Sequence, residues 1–282
     1  MAPLAHTLAL LAMAVATAAI EVLPLDMAEN SFDDQYRGCG TEMTVALPAL
    51  NRSEFQKNSH FARVWAEAAA EWQRKGSRVS PLSSPAQAIA LMAYSMKGMH
   101  REFNAAVREV GRSPQEYRDK FHYKTFHFLL TQAVGTLRDI QGPQCRDVFR
   151  GVRRYQFKAQ SGATMRFGRF TATTLRKETV LCFGANMVFE VHTCHGVDIR
   201  EFSTLPEEEE VLIPPFEIFK VTNVTDDGQR QWIQLHSNGT SSNYNCEWLK
   251  GDTTGGGLGE APFHPGGFFL ATTGLAVATG IL

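Results

Sequence analysis

The spacing of apolar residues divides the chain into two parts. From about Arg52 to Ile140, apolar residues recur at every third or fourth position. One such stripe consists of Phe61, Val64, Trp65, Ala68 and Trp72. This periodicity is typical of amphipathic helices that bury one face. The segment SPQEY adds a helix start, with Ser113 as a favoured N-cap and Pro114 as a favoured first residue. The first half therefore predicts a helical region.

After Pro143 the pattern shortens to runs of strand length. These runs are DVFRGV, ATMRFGRFTATTL, MVFEVHTC, EVLIPPFEIFKVTNV and RQWIQLHS, separated by Gly, Pro, Asn and Asp. Helices followed by strands predict an α+β fold. We expect an N-terminal segment and helical subdomain over residues 20–140 and a β core over residues 141–250.

Both ends of the chain carry apolar runs that are shorter than a membrane span of about 20 residues. Residues 8–19, LALLAMAVATAA, contain small residues spaced for signal-peptidase cleavage, so we predict a signal peptide over residues 1–19. Residues 251–282 combine a Gly-rich spacer with an apolar tail, which fits either glycolipid (GPI) anchoring or simple trimming. We expect an extracellular mature protein, secreted or GPI-anchored, with no transmembrane span.

The composition narrows the classes of partner. With 44% hydrophobic residues among 282, the chain is long enough to bury a sizeable core. Its formal net charge of -1 lacks the basic excess that is typical of nucleic-acid binders. We expect no nucleic-acid partner, and we expect a monomer.

Secretion changes the interpretation of the cysteines, which are Cys39, Cys145, Cys182, Cys194 and Cys246. In an oxidising compartment four of the five can form two disulfides. The run CFGANMVFEVHTCH could also supply a zinc site. However, Cys182, His192 and Cys194 are expected on one face of a strand and His195 on the other. We predict no metal site.

Three Asn-x-Ser/Thr sequons begin at Asn51, Asn223 and Asn238. In a secreted chain such sequons predict surface positions that are open to glycosylation.

Polar side chains lie on three predicted strands. Arg150 precedes Gly151, where a bare backbone lets a ligand approach. FTATTL adds a row of hydroxyls, and PEEEEVLIPPFE places four acids directly before a buried strand. Each feature alone has an ordinary explanation: a salt-bridged arginine, threonine β-propensity or a charged sheet edge. What makes them specific together is that all three features occur in this order along the chain.

In that order, Arg150, the hydroxyl-rich strand and Glu208-x-Glu210 resemble the arginine, serine and Glu-x-Glu signature of the vertebrate arginine-specific mono-ADP-ribosyltransferases. The segments MAENSFDDQYRGC, VFRGVR and YNCEWLK also resemble this family, so the likeness covers residues 25–250. It implies a helical region packed on a mixed two-sheet core that grips NAD. It also implies transfer of ADP-ribose from NAD(P)+ to arginine residues of acceptor proteins, with NAD(P)+ as co-substrate and no permanently bound cofactor.

The resemblance implies a role for each residue of the signature. Arg150 would hold phosphate or ribose oxygens of the dinucleotide. Glu210 would stabilise positive charge on the ribose in the transition state. Glu208 would engage the acceptor guanidinium from the same side of an extended segment. Glu207 and Glu209 are expected to be solvated.

Further candidate contacts to NAD are Tyr123, Gly151, Phe183 and Phe202, and Arg200 is a candidate contact to NAD or the target. Tyr123 lies in FHYKTFHFLL, a run that is also typical of helix packing, so both interpretations stay open. The resemblance further implies the disulfides Cys39–Cys246 and Cys145–Cys194, with Cys182 left as a buried thiol.

One departure from the family pattern affects the expected activity. The first serine of the hydroxyl-rich strand is replaced by Ala172, and the second corresponds to Thr174. Thr173 or Thr174 could supply the missing hydroxyl through a small register change, and Thr173 is our candidate catalytic hydroxyl. Two alternatives remain: an NAD glycohydrolase, against which Glu208 argues, and an NAD-binding ectodomain with weakened catalysis, which Ala172 suggests.

Overall fold

The computed structural model describes residues 21–96, 98–153, 155–182 and 185–251. The predicted signal peptide, the tail beyond residue 251 and Phe183 lie outside the described residues. The helices are α1 (Gly40–Lys57), α2 (Ser59–Arg74), α3 (Pro85–Ser95), α4 (Met99–Glu109), α5 (Pro114–Lys120), α6 (Lys124–Gln141) and α7 (Lys177–Cys182). The strands are β1 (Glu21–Pro24), β2 (Arg146–Val152), β3 (Tyr155–Lys158), β4 (Thr164–Arg166), β5 (Thr171–Thr174), β6 (Met187–Thr193), β7 (Val197–Asp198), β8 (Glu210–Ile213), β9 (Glu217–Asp226) and β10 (Gln231–Thr240).

The helical half follows the predicted pattern. On α2 the buried residues are those of the predicted stripe, Phe61, Val64, Trp65, Ala68 and Trp72. Helix α5 begins at Pro114, and the Ser113 side chain accepts a hydrogen bond from the Glu116 backbone nitrogen at 3.1 Å. This bond satisfies one of the free N–H groups at the helix start, as expected of an N-cap.

The strands form a mixed sheet in the order β4-β9-β10-β6-β2-β5-β8-β7, and β1 pairs with β3 in a separate two-stranded sheet. Strands β10 and β6 are parallel, whereas the other neighbours in the large sheet are antiparallel. In the described strands, β2 and β5 meet only through the pair Phe149 and Thr174. The large sheet is therefore nearly divided at this point, which agrees with the α+β prediction and its two-sheet core.

Several predicted runs are interrupted. ATMRFGRFTATTL divides into β4 and β5 around Gly168, whose φ of 61° is in the left-handed region. A Cβ at Gly168 would lie 2.3 Å from the Ala28 Cβ, so only glycine fits. EVLIPPFEIFKVTNV divides into β8 and β9 at Pro214 and Pro215, because proline cannot donate to a sheet ladder. Cys182 ends the short helix α7, so its predicted place on a strand with His192 was wrong.

The helices and the sheet share one apolar core. Phe170, Phe202 and Leu212 from the strand region pack with buried residues of the helices. None of the described helices has the length and hydropathy that a bilayer crossing requires.

The N-terminal segment is tied to the end of the β core. Asp33 accepts hydrogen bonds from the backbone nitrogens of Asn243 and Tyr244 and forms a fully buried ion pair with Arg166 at 2.5 Å. Asp34 accepts from the backbone nitrogens of Cys246 and Glu247 at 2.9 Å each. The predicted disulfide Cys39–Cys246 closes the same region and is confirmed, as is Cys145–Cys194.

The sequons differ in exposure. Asn223 and Asn238 lie exposed on β9 and β10, as a glycosylation site requires. Asn51 is only 6% exposed and lies inside α1, so the predicted surface position of this residue was wrong.

Candidate active site

Arg150 lies in the central strand β2, opposite Phe189 of β6. Its Nη1 donates to the Ala172 carbonyl of β5 at 2.6 Å, so the guanidinium reaches across the weak join between the two halves of the sheet. Burial lowers the pKa of Arg150, and the charges of Tyr94 and Glu210 oppose that shift. Arg150 therefore lies close enough to Glu210 for their charges to interact.

Gly151 is needed for packing between β2 and α7. A Cβ at this position would lie 2.9 Å from the Ala185 Cβ and 3.2 Å from the Val180 Cβ of α7. Contacts this close force a neighbouring group to move, so any larger residue would displace α7 or β2. Gly151 also lines the cleft described below.

The acidic segment is a tight turn rather than an extended strand. Residues Pro206–Glu208 form a 3₁₀ turn, and Glu209 is left-handed with a φ of 46°. The extended conformation predicted for Glu208-x-Glu210 was therefore wrong, although the charge of Glu208 still acts on Glu210. The turn is held by Thr174 Oγ1, which donates to the Glu208 carbonyl at 2.7 Å, and by the Leu175 nitrogen, which donates to the Glu209 carbonyl at 3.2 Å.

Glu210 is the buried acid of this turn. It is 8% exposed, begins β8 and pairs with Thr174 of β5. The pKa of Glu210 is raised to about 7, mainly by burial and also by the charge of Glu208, while the charge of Arg150 opposes the rise. Glu207 and Glu208 are exposed and Glu209 is half-buried. The charges of Glu208 and Arg150 both act on Glu210, so the structure brings these three side chains close together.

The threonine hydroxyls of β5 donate hydrogen bonds to backbone carbonyls. Thr173 Oγ1 donates to the Val211 carbonyl at 2.8 Å, which directs it away from the catalytic role that we predicted for it. Thr174 is the hydroxyl that reaches the acidic turn, through the Glu208 carbonyl. Ala172 lies on the same side of β5 as Thr174 and pairs with Leu212, two residues after Glu210.

Because position 172 is diagonal to Glu210 across the pair of strands, we expect Ala172→Ser to keep or raise the rate of NAD turnover, by up to about tenfold. The new hydroxyl can donate to the Glu210 carboxylate and orient it. Steady-state kinetics of NAD consumption measure this. A loss of more than about tenfold would show that the site is built around an apolar residue here.

A cleft of about 680 Å³ adjoins the site. Arg150 and Gly151 of β2 form part of its wall, and α4 forms another part. The arginines that line it are Arg101, Arg108, Arg150, Arg153, Arg166 and Arg169, whereas Asp26 is the one acid among the described lining residues. Glu208 and Glu210 are not among the lining residues. Arg150 connects the cleft with the acidic turn, because it lines the cleft and its charge acts on Glu210.

Two predicted NAD contacts lie elsewhere. Tyr123 is buried among Phe61, Phe103 and Phe121, and its hydroxyl donates to Glu102 at 3.4 Å. Phe202 is 2% exposed and borders a separate pocket of about 290 Å³ that also contains Arg200. Neither aromatic side chain lines the arginine-rich cleft, because both complete the apolar core.

Residues of α4 were missed by the sequence reasoning. His100, Arg101, Asn104 and Arg108 all line the cleft. Part of this was visible in the sequence, because Met99, Phe103 and Val107 form the apolar buried stripe of α4 and leave His100, Arg101 and Arg108 on other faces. Asn104 is buried beside the stripe.

A possible metal group is already used by a disulfide. Among the described residues, one group of three has ligand atoms close enough together to hold a metal ion. It consists of Cys145, His192 and Cys194. The two sulfurs are bonded to each other and are therefore unavailable as thiolate ligands.

Comparisons with known proteins agree with this geometry. Residues 25–243 match the model of the family NAD:arginine ADP-ribosyltransferase. The erythroblast NAD(P)(+)--arginine ADP-ribosyltransferase of Gallus gallus is 49% identical over 234 residues, covering 82% of this chain and 78% of the relative. The GPI-linked NAD(P)(+)--arginine ADP-ribosyltransferase 1 of Homo sapiens is 44% identical over 245 residues, covering 81% and 75%.

A solved structure shows the same fold. The crystal structure of the eukaryotic mono-ADP-ribosyltransferase ART2.2 superposes with a TM-score of 0.69 at 35% identity, covering 79% of this chain and 98% of that chain. Mutants of ART2.2 have been solved in complex with NADH and with NAD. The arginine, the acidic turn and the fold thus lead to one conclusion: the chain belongs to the NAD:arginine ADP-ribosyltransferase family.

Proposed function

We propose that this protein transfers ADP-ribose from NAD(P)+ to the guanidinium of arginine residues in proteins and releases nicotinamide. The observation that carries the proposal is the burial of Glu210 beside Arg150 and Glu208, next to an arginine-lined cleft. The relatives named for this reaction share 44–50% of their aligned residues with this chain.

The cleft fits a dinucleotide co-substrate. Except for Arg166, which is committed to its buried ion pair with Asp33, the lining arginines can bind the two phosphates through charge-assisted hydrogen bonds. Arg150 would act at the end nearest Glu210. In this placement the nicotinamide ribose would lie near Glu210, and the phosphates and adenosine would lie further along the cleft. NAD(P)+ is consumed in each turnover, so it acts as a substrate and not as a resident cofactor.

The chemistry begins with cleavage of the bond between nicotinamide and ribose. The bonding electron pair leaves with nicotinamide, and the ribose acquires oxocarbenium character. The ionised Glu210 carboxylate stabilises that positive charge, and it does so more strongly in the transition state than in the ground state. Its burial strengthens this effect, because water screens the charge less.

The second bond forms between the ribose carbon and a nitrogen of the acceptor arginine. Glu208 is exposed and close enough to influence Glu210, so it can hold the incoming guanidinium at the mouth of the site. As the C–N bond forms, the attacking nitrogen loses a proton, which Glu208 can accept and pass to solvent.

Replacement of Glu208 by Gln is expected to lower arginine transfer by about 10²- to 10⁴-fold while NAD hydrolysis continues. The carboxylate that receives the acceptor proton is lost, but Glu210 remains. Mass spectrometry of an arginine-containing peptide, incubated with labelled NAD, separates modified peptide from free ADP-ribose. A wild-type protein that yields only free ADP-ribose would instead be an NAD glycohydrolase.

The raised pKa of Glu210 predicts a pH dependence. The transition state needs the ionised carboxylate, and the pKa is about 7. The value of kcat/KM should therefore rise as the pH increases through about 7 and level off above it. A rate that stays constant from acid to alkaline pH would contradict the assignment of Glu210 as the charged group.

The location of the protein is also a proposal. Relatives of this chain are named GPI-linked enzymes, and the confirmed disulfides fit an oxidising compartment. We propose that the mature protein lies outside the cell, either anchored by glycolipid or secreted. Release from intact cells by a phospholipase specific for phosphatidylinositol would distinguish anchoring from secretion.

A further inference from the structure

The acidic turn is preceded by a loop that joins β7 to β8, and two residues of the helical half bind the backbone of this loop. Ser95 is the last residue of α3, and its Oγ accepts a hydrogen bond from the Thr204 nitrogen at 2.9 Å. Lys75 follows α2, and its Nζ donates to the Ser203 carbonyl at 2.7 Å. The loop is therefore fixed to the helices just before the acids begin.

The contact between Ser95 and Thr204 also involves both hydroxyl groups. The two side-chain oxygens are 3.1 Å apart, and Thr204 Oγ1 lies 3.2 Å from the Ser95 carbonyl, to which it can donate. We call these contacts between Ser95 and Thr204 the clamp. Residues 86–94 of α3, which lead up to Ser95, are all buried. The clamp thus fastens the loop to a helix that is itself held in the core.

A short path of hydrogen bonds connects the clamp to Glu208. Leu205 follows Thr204, and its nitrogen donates to Ser203 Oγ at 3.0 Å. The Leu205 carbonyl accepts from the Glu208 nitrogen at 3.1 Å, while the Glu208 carbonyl accepts from Thr174 of β5. The backbone of Glu208 is therefore fixed from α3 at the start of the turn and from β5 at its end.

Glu210 is supported separately. It pairs with β5 as the first residue of β8, and its carbonyl accepts from the Ile199 nitrogen at 3.0 Å. Loss of the clamp should therefore displace Glu208 and leave Glu210 in place. Neither Ser95 nor Thr204 is among the described residues that line the arginine-rich cleft, so we expect the cleft to keep its shape as well.

We propose that the clamp of Ser95 and Thr204 positions Glu208 for the acceptor arginine, so that transfer of ADP-ribose is favoured over hydrolysis of NAD. In hydrolysis, water supplies the oxygen that bonds to the ribose carbon, and Glu210 suffices. Transfer also needs Glu208 at a fixed place, because it must bind the guanidinium and accept its proton. This inference rests on the proposed function of Glu208. Ser95 and Thr204 are positioning residues, since they act through Glu208.

The test measures two products of the full-length protein. Thr204→Val keeps the shape of the side chain and removes its hydroxyl. It should lower ADP-ribose transfer to an arginine-containing peptide about tenfold, while hydrolysis without peptide stays within about twofold of the wild type. Thr204→Ser keeps the hydroxyl and should retain both rates. Mass spectrometry with labelled NAD measures modified peptide and free ADP-ribose.

Two further variants complete the comparison. Ser95→Ala removes the other side of the clamp and should lower the ratio of transfer to hydrolysis at least as much. It also keeps the test available if Thr204→Val does not fold. The matched control is Thr44→Val, because Thr44 Oγ1 also donates to a carbonyl, that of Gly40 at 2.8 Å, on the exposed side of α1. This variant should change neither rate.

Other outcomes would overturn the inference. A ratio that is unchanged in both Thr204→Val and Ser95→Ala would remove the inference and leave the proposed function intact. Equal losses of transfer and hydrolysis would show a general structural effect instead of positioning, and so would a lower ratio in Thr44→Val. A wild-type protein that forms no modified peptide would remove both the inference and the proposed function.

Discussion

Replacing Glu210 by Gln is expected to lower the rate of ADP-ribose transfer about a thousandfold. The substitution keeps the size of the side chain and its hydrogen-bonding ability, but it removes the negative charge. At a site that is 8% exposed, that charge faces the developing positive charge of the ribose with little screening by water. The loss should appear in kcat, because the interaction is strongest in the transition state.

A measurement of stability distinguishes this loss of activity from a loss caused by misfolding. The pKa of Glu210 is raised from 4.5 to about 7 in the folded protein. Between these values the folded state holds a proton that the unfolded state has released, so the free energy of unfolding falls as the pH rises through this window. A neutral side chain avoids that loss. At pH values above the folded pKa, Glu210→Gln should therefore be at least as stable as the wild type.

The matched control for Glu210→Gln is Glu209→Gln. Glu209 belongs to the same acidic turn, and its backbone carbonyl, not its side chain, accepts the bond from Leu175. Its activity should stay close to that of the wild type. An active Glu210→Gln variant, or an equal loss in Glu209→Gln, would contradict the assigned roles.

The second large effect concerns stability. Asp33→Ala is expected to lower the free energy of unfolding by about 3–5 kcal/mol, because it leaves the buried Arg166 guanidinium without its carboxylate. It also removes the acceptor for the backbone nitrogens of Asn243 and Tyr244. Urea unfolding, with the disulfides intact, measures the change.

Asp26→Ala is the control for the ion pair. Asp26 also pairs with an arginine, Arg108, but at 3.3 Å and with 52% of its side chain exposed. Exposed pairs contribute about 0–1 kcal/mol, so this variant should remain near the wild type. If Asp33→Ala cost no more than Asp26→Ala, the buried network would not be what fastens the N-terminal segment to the β core.

The elements that follow from local pattern were predictable. The buried stripe of α2 and the start of α5 depend on neighbours within a few residues, and both agree with the structure. Arg150 and Glu210 were identified because their motifs have a fixed order along the chain. Burial of Arg166 with Asp33 was not predictable, since the two residues are 133 positions apart and neither carries a local signal.

Other parts of the site depend on contacts between elements. The relation of Glu208 to Glu210 was assigned from strand alternation, but Glu209 adopts a left-handed conformation that Thr174 and Leu175 stabilise from β5 and its end. The polar spacing on α4 is visible in the sequence. Which of its faces lines a cleft depends on how the helices pack against the sheet, and one sequence does not show that packing. Tyr123 and Phe202 have the chemistry of NAD contacts, but packing places both in the core.

A crystal structure of the Glu210→Gln variant bound to NAD is the most direct test. The phosphates or ribose should contact Arg150, and the bond between nicotinamide and ribose should lie against the side chain at position 210, with the acceptor side open toward Glu208. A dinucleotide whose nicotinamide ribose lies in another part of the protein, away from position 210, would contradict the assignment of this site as the place of ADP-ribose transfer.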